Sequence, residues 1–121
     1  MDSKKLAAKL ADMILQKKGL NILILDLRKL TNVTDFFVIG TATSDTQVKA
    51  IADYIKEETG KLDESPWHKE GYSNLKWVLM DFVNVVVHIF LEDSRKFYNL
   101  EGLWADAEIT EVSDEKLYEK K

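Results

Sequence analysis

Apolar positions along this chain follow two periods, and the switches between them mark out its elements. Over residues 3–18, Leu6, Leu10, Met13, Ile14 and Lys17 recur at helical spacing. Ser3 or Asp2 can cap the start of that helix, and Gly19 can end it. Residues 21–27, Asn-Ile-Leu-Ile-Leu-Asp-Leu, read as a short strand. Thr31-Asn32-Val33-Thr34 is polar and turn-like. Phe36-Phe37-Val38-Ile39, running into Gly40-Thr41-Ala42, reads as a second strand buried on both faces. Ser44-Asp45-Thr46-Gln47 matches a capping box, with the Ser44 side chain on the Gln47 backbone and the Gln47 side chain reaching back. Val48, Ile51, Ala52 and Ile55 then return to helical spacing, and Gly60 is placed to stop that helix. Residues 61–66 form a loop that carries the only proline, Pro66.

Three strands are predicted next. Trp67–Glu70 is short. Leu75–Phe82 and Val85–Leu91 are longer, and the tight turn between them predicts an antiparallel hairpin. Alternation puts Leu75, Trp77, Leu79 and Asp81 on one face. In the last strand Val86, His88 and Phe90 share one face, and Val85, Val87, Ile89 and Leu91 the other. Asp93-Ser94 is placed to cap a short helix carrying Phe97 and Tyr98. The pattern predicts an α/β fold, a single domain over 1–107 with a mixed sheet of about five strands flanked by helices. The remainder, 108–121, reads as a charged, mobile tail.

Composition narrows the classes. The chain has 121 residues, 45% hydrophobic and 31% charged, enough for one ordinary core. It has no cysteine, which excludes disulfides and thiolate metal sites and fits a reducing compartment. No apolar run approaches the roughly 20 residues that span a bilayer. Met1-Asp2-Ser3-Lys4-Lys5 reads as neither a secretory signal nor a transit peptide, so a cytoplasmic protein without membrane contact is expected. The net charge is -4, from 17 basic and 21 acidic side chains. Phosphate backbones would repel such a surface, so sequence-specific nucleic-acid binding is not expected. A basic protein partner would be attracted to it.

Sites of chemistry are sparse. Two histidines, His68 and His88, without cysteine make a poor zinc set, and no metal or cofactor is expected. The turn Gly40-Thr41-Ala42-Thr43-Ser44 joins a strand to a helix, but it has one glycine and no following lysine, unlike a phosphate loop. Two carboxylates spaced by one residue on a strand would hold a metal pair. Asp26 and Asp81 are instead followed two places on by Arg28 and Val83. His88 could act as a general base, but it sits between Val86 and Phe90 with no nucleophile beside it. Trp77 fits either a core position or an interface anchor. Tyr98 and Trp104 share that ambiguity.

An ordered set of short motifs resembles the ribosomal silencing factor (RsfS, Iojap) family. Its first half is Val33-Thr34-Asp35-Phe36-Phe37-Val38-Ile39, Ser44, Gln47 and Ala50-Ile51-Ala52. Its second half is Glu70-Gly71, Trp77–Phe82 and Val85–Phe90, followed by Arg95, Phe97-Tyr98, Leu100-Glu101, Leu103-Trp104 and Asp106-Ala107. The match runs from about residue 5 to 107 without large gaps. In one turn the chain departs from the family, which usually has glycine and an acid where Val83 and Asn84 stand here. The resemblance implies a nucleotidyltransferase-like fold without the catalytic acids, and no enzymatic activity. It implies binding to the large ribosomal subunit through its protein L-fourteen, a steric block to joining of the small subunit, and lowered translation. A role in large-subunit assembly is the alternative. A nucleotide-binding or nucleotidyl-transferring enzyme using the Gly40–Ser44 turn is a more distant one.

The candidate partner-binding residues are Glu70, Trp77, Asp81, His88 and Tyr98. Trp77 and Tyr98 would supply apolar contact, and Glu70 and Asp81 would face basic groups. If the last strand exposed an edge, that edge and the aromatic face would let the free protein form a homodimer.

Overall fold

A computed structural model describes residues 1–113. In chain order the elements are α1 (Ser3–Gln16), β1 (Leu20–Asp26), β2 (Phe36–Ala42), α2 (Asp45–Lys61), β3 (His68–Glu70), β4 (Trp77–Asp81), β5 (Val85–Leu91), α3 (Glu92–Tyr98), α4 (Leu100–Leu103) and β6 (Glu108–Val112). The sheet is six-stranded, ordered β3-β4-β5-β2-β1-β6. β2 and β5 run parallel and every other pair antiparallel, so the sheet is mixed.

The apolar stripes of α1 and α2 decide which sheet face is thickly covered. Leu10 and Ile14 of α1 and Val48, Ile51 and Ile55 of α2 are fully buried against Val38, Val78, Met80, Val85, Val87 and Ile89. Both helices start on side-chain caps. Asp2 accepts from the Lys5 N–H at 2.8 Å, and Ser44 Oγ accepts from the Gln47 N–H at 3.1 Å. Gln47 reaches back as a capping box requires, but to the Thr43 N–H, at 2.8 Å. Its amide nitrogen also donates to the Lys18 carbonyl at 3.1 Å, tying α2 to the end of α1. Gly40 has a packing role: a Cβ there would lie 2.8 Å from Ile14 Cγ2, so a larger residue would push α1 off the sheet.

Several expectations need correction. Glu108–Val112, placed in a mobile tail, is the sixth strand and pairs with β1 from Ile22↔Val112 to Asp26↔Glu108. The rest of that tail, 114–121, lies outside the described residues. β5, expected to offer an edge, is interior, and the edges are β3 and β6. Leu75 does not share a face with Trp77. It has φ of 59°, outside the strand, and packs on the helix-side core. Gly60 does not stop α2, which runs to Lys61, and Asp63 takes the left-handed turn beyond it at φ 57°. Asp93-Ser94 lies inside the first turn of α3, which begins without a side-chain cap.

The turn joining β4 to β5 is strained. The Asn84 N–H donates to the Phe82 carbonyl at 3.0 Å, closing a three-residue loop around Val83 at φ 76°. Asp81 Oδ1 accepts from the Val83 N–H at 2.7 Å and holds it there. A β-branched residue at positive φ costs about 1–3 kcal/mol. Val83 is 56% exposed, so its side chain returns little by burial. Val83→Gly is therefore expected to stabilise the protein by about 1 kcal/mol, net of the entropy glycine adds to the unfolded chain. Urea unfolding measures this, and a lower midpoint for the variant would show that the turn is unstrained.

Candidate functional site

The sheet face away from α1 and α2 is built from the alternate residues of each strand. In β4, Val78 and Met80 point to the helices, which leaves Trp77, Leu79 and Asp81 on the other side. The ladder sets Trp77 opposite Phe90, Leu79 opposite His88 and Asp81 opposite Val86. β3 adds His68 opposite Asp81 and Glu70 opposite Leu79, and β2 adds Phe37 beside Val86. The cover here is thin, because α3 and α4 are only 7 and 4 residues long. Arg95, 8% exposed, fastens them down. Its Nη1 donates to Thr41 Oγ1 at 2.6 Å and to the Asn21 carbonyl, and its Nε to Glu101 Oε2 at 3.1 Å.

Aromatic rings fill the space between these short helices and the sheet. Trp77 stacks on Phe90 with ring centroids 4.8 Å apart, and Tyr98 lies at the same distance. Phe37 meets His88 edge-on at 4.6 Å, and Trp104 meets Phe37 edge-on at 6.0 Å. The indole N–H of Trp77 donates to His88 Nδ1 at 3.0 Å. His88 is 3% exposed, and burial pushes its pKa down to about 3. The ring is therefore neutral near pH 7. With Nδ1 accepting, the proton sits on Nε2. No lone pair is left for a general base, so His88 here serves to fix Trp77.

All five sequence-derived candidates come together on this face. Glu70, Trp77 and Tyr98 line one hollow of about 350 Å³, while Glu70, Asp81 and His88 line a second of about 320 Å³. Trp77 is half-buried and acts both as core, on Phe90, and as a wall of the first hollow. Tyr98 is 49% exposed, and Glu70 is exposed with its carboxylate 3.0 Å from His68 Nε2. Asp81 is half-buried and partly engaged with the Val83 turn. Thr34, Phe37, Leu79, Val86 and Trp104 also line the second hollow and were not among the candidates. Strand alternation marks Leu79 and Val86, whereas Thr34 lies in a loop and carries no such signal.

Two other places are less suited to ligands. A larger hollow, about 690 Å³, lies between β6 and α3 and mixes Arg95 and Lys96 with Glu92, Glu101 and Glu111. At the Gly40–Ser44 turn, the Thr43 and Gln47 N–H groups already donate to Gln47 and Ser44 side chains, so the helix start caps itself where a phosphate would bind.

Comparison with known proteins agrees with this architecture. The family model described as ribosomal silencing factor during starvation matches residues 1–121. The ribosomal silencing factor RsfS of Bacillus subtilis (strain 168) is 40% identical over 108 residues, covering 89% of each chain. The chloroplastic protein Iojap of Zea mays is 38% identical over 104 residues, which span 84% of this chain and 44% of the relative. A crystal structure of a Chromobacterium violaceum protein superposes with a TM-score of 0.82 at 33% identity, covering 87% of this chain and 88% of that one.

The buried histidine makes stability depend on pH. The unfolded chain takes up a proton at His88 near the ordinary value of 6.5, whereas the folded chain resists it down to about 3. The contribution is whole above pH 6.5 and is lost as pH falls toward 3, to a limit on the order of 4 kcal/mol. His88→Asn keeps an acceptor for Trp77 and does not titrate. Its unfolding free energy should fall less between pH 7 and about 4.5 than that of the parent. Equal slopes in urea titrations at the two pH values would contradict a depressed His88.

Proposed function

The chain belongs to the ribosomal silencing factor family, and on that premise we propose that it represses translation by occupying the large ribosomal subunit. It docks on the subunit's protein L-fourteen and sterically blocks joining of the small subunit, acting in the cytoplasm. The observation that carries this reading is the thinly covered sheet face, where Trp77, Tyr98 and Phe90 stack beside Glu70 and Asp81. Aromatic anchors ringed by charge are what a protein interface uses for affinity and selection. The net charge of -4 draws the domain to a basic protein and away from exposed RNA phosphates. In this reading Trp77 and Tyr98 provide apolar contact, Glu70 and Asp81 meet cations, and His88 holds the Trp77 indole in place. The same face would pair two free copies, so self-association and ribosome binding compete.

The geometry also selects the test variants. Trp77 supports His88, and Asp81 holds the Val83 turn, so replacing either disturbs the fold as well as the surface. Tyr98 and Glu70 are exposed and can be changed more cleanly. The parent protein should sediment with purified large subunits and prevent their joining to small subunits. Tyr98→Ala and Glu70→Lys should each weaken that binding by about tenfold with little change in melting temperature. Binding without a block to joining would favour the assembly role. Parent-like binding by both variants would remove this face as the docking site.

A further inference from the structure

Two residues that line the hollow of about 320 Å³, His88 and Thr34, each carry a buried polar atom, Nε2 and Oγ1, that nothing among the described residues satisfies. They are 3% and 4% exposed. Buried polar groups are nearly always paired, so two orphans on residues lining one hollow call for a reason. Phe37, Leu79, Val86 and Trp104 give the wall its apolar part, and the acids Glu70 and Asp81 also line it, with His68 beside Glu70 at 3.0 Å. The Trp77 bond settles the polarity of one orphan, because with Nδ1 occupied His88 Nε2 is a donor.

These features exclude simple occupants. An anion would suit the Nε2–H but would be repelled by Glu70 and Asp81. A bare cation would suit the two carboxylates but would leave the His88 N–H without an acceptor. What fits is a neutral oxygen acceptor on an apolar body with positive charge beside it. We propose that this hollow is a recognition slot for an inserted loop of a basic protein. An aliphatic side chain of the loop fills the slot, and a loop peptide carbonyl accepts from His88 Nε2. A neighbouring lysine or arginine meets Glu70 or Asp81, and Thr34 Oγ1 bonds the same peptide. The inference rests on the large-subunit reading above and names the group that the docking face selects.

Two variants of the full chain test it against purified large subunits. Thr34→Val keeps the shape and removes the orphan hydroxyl. His88→Asn keeps an acceptor for Trp77 but has no donor at the Nε2 position. Thr34→Val and His88→Asn should each weaken sedimentation with the large subunit about tenfold. Thr34→Val should leave the urea midpoint of the free protein unchanged or raise it, because an unpaired polar group has been removed. A midpoint that falls along with affinity would make Thr34 structural and overturn the slot. If the parent binds and Thr34→Val and His88→Asn bind equally well, the slot is wrong and the docking face stands. If the parent does not bind at all, the docking reading falls and the slot falls with it.

Discussion

Burial of β5 on both faces is the constraint on which the rest of the structure depends. Its residues Val85 to Phe90 are all buried, with β2 parallel on one side and β4 antiparallel on the other. An interior strand covered twice must be apolar or must satisfy its polar groups locally. Val85, Val87 and Ile89 meet this demand against α1 and α2. His88 meets it only in part. Trp77 answers Nδ1 from the neighbouring strand, directly across from Phe90, and Nε2 is left without a partner among the described residues. The position of Trp77, and the stack it makes with Phe90 and Tyr98, follows from that one polar residue.

The two faces of the sheet are covered unequally, and in the proposed docking the inequality separates stability from recognition. α1 and α2, of 14 and 17 residues, lay long apolar stripes on one face. α3 and α4 are too short to close the other, and their anchor is a buried arginine tied to Thr41, Asn21 and Glu101. Short helices draw little stability from their own backbone bonds, so tertiary ties of this kind must hold them. What they leave open is aromatic and edged with acids. A face stabilised mainly from behind can present large rings to a partner without unfolding when its surface residues change.

Legibility in the sequence followed burial. α1 and α2 were readable because their apolar residues keep helical spacing, and the β4–β5 hairpin because a tight turn separates two apolar runs. β6 was not. As an edge strand with four of its five residues exposed, it needs no apolar pattern, and its Glu108-Ile109-Thr110-Glu111-Val112 looks like tail. Leu75 was misplaced because its left-handed backbone breaks the alternation that Trp77 begins. The candidate site was legible in its large residues, since aromatics and acids near one hairpin stand out. Thr34 was not, because a loop residue reaches that hollow only through the fold. The polarity of His88 was equally hidden, being set by a bond across two strands.

Under the proposed docking, the acidic charge and the aromatic face do different work, and their combination suits a domain that finds one protein within a surface dominated by RNA. Net negative charge acts at long range and is screened by salt, so it biases encounters but discriminates poorly. Stacked rings act only at contact, where shape decides the outcome, and they add affinity without regard to charge. Acids set beside the rings join the two effects. Glu70 and Asp81 can be desolvated at low cost only against a cation brought to the same spot. Under the docking reading, a phosphate-rich surface is rejected at long range. A neutral protein surface finds the rings but leaves the acids unpaired, and only a basic protein with an apolar projection satisfies both.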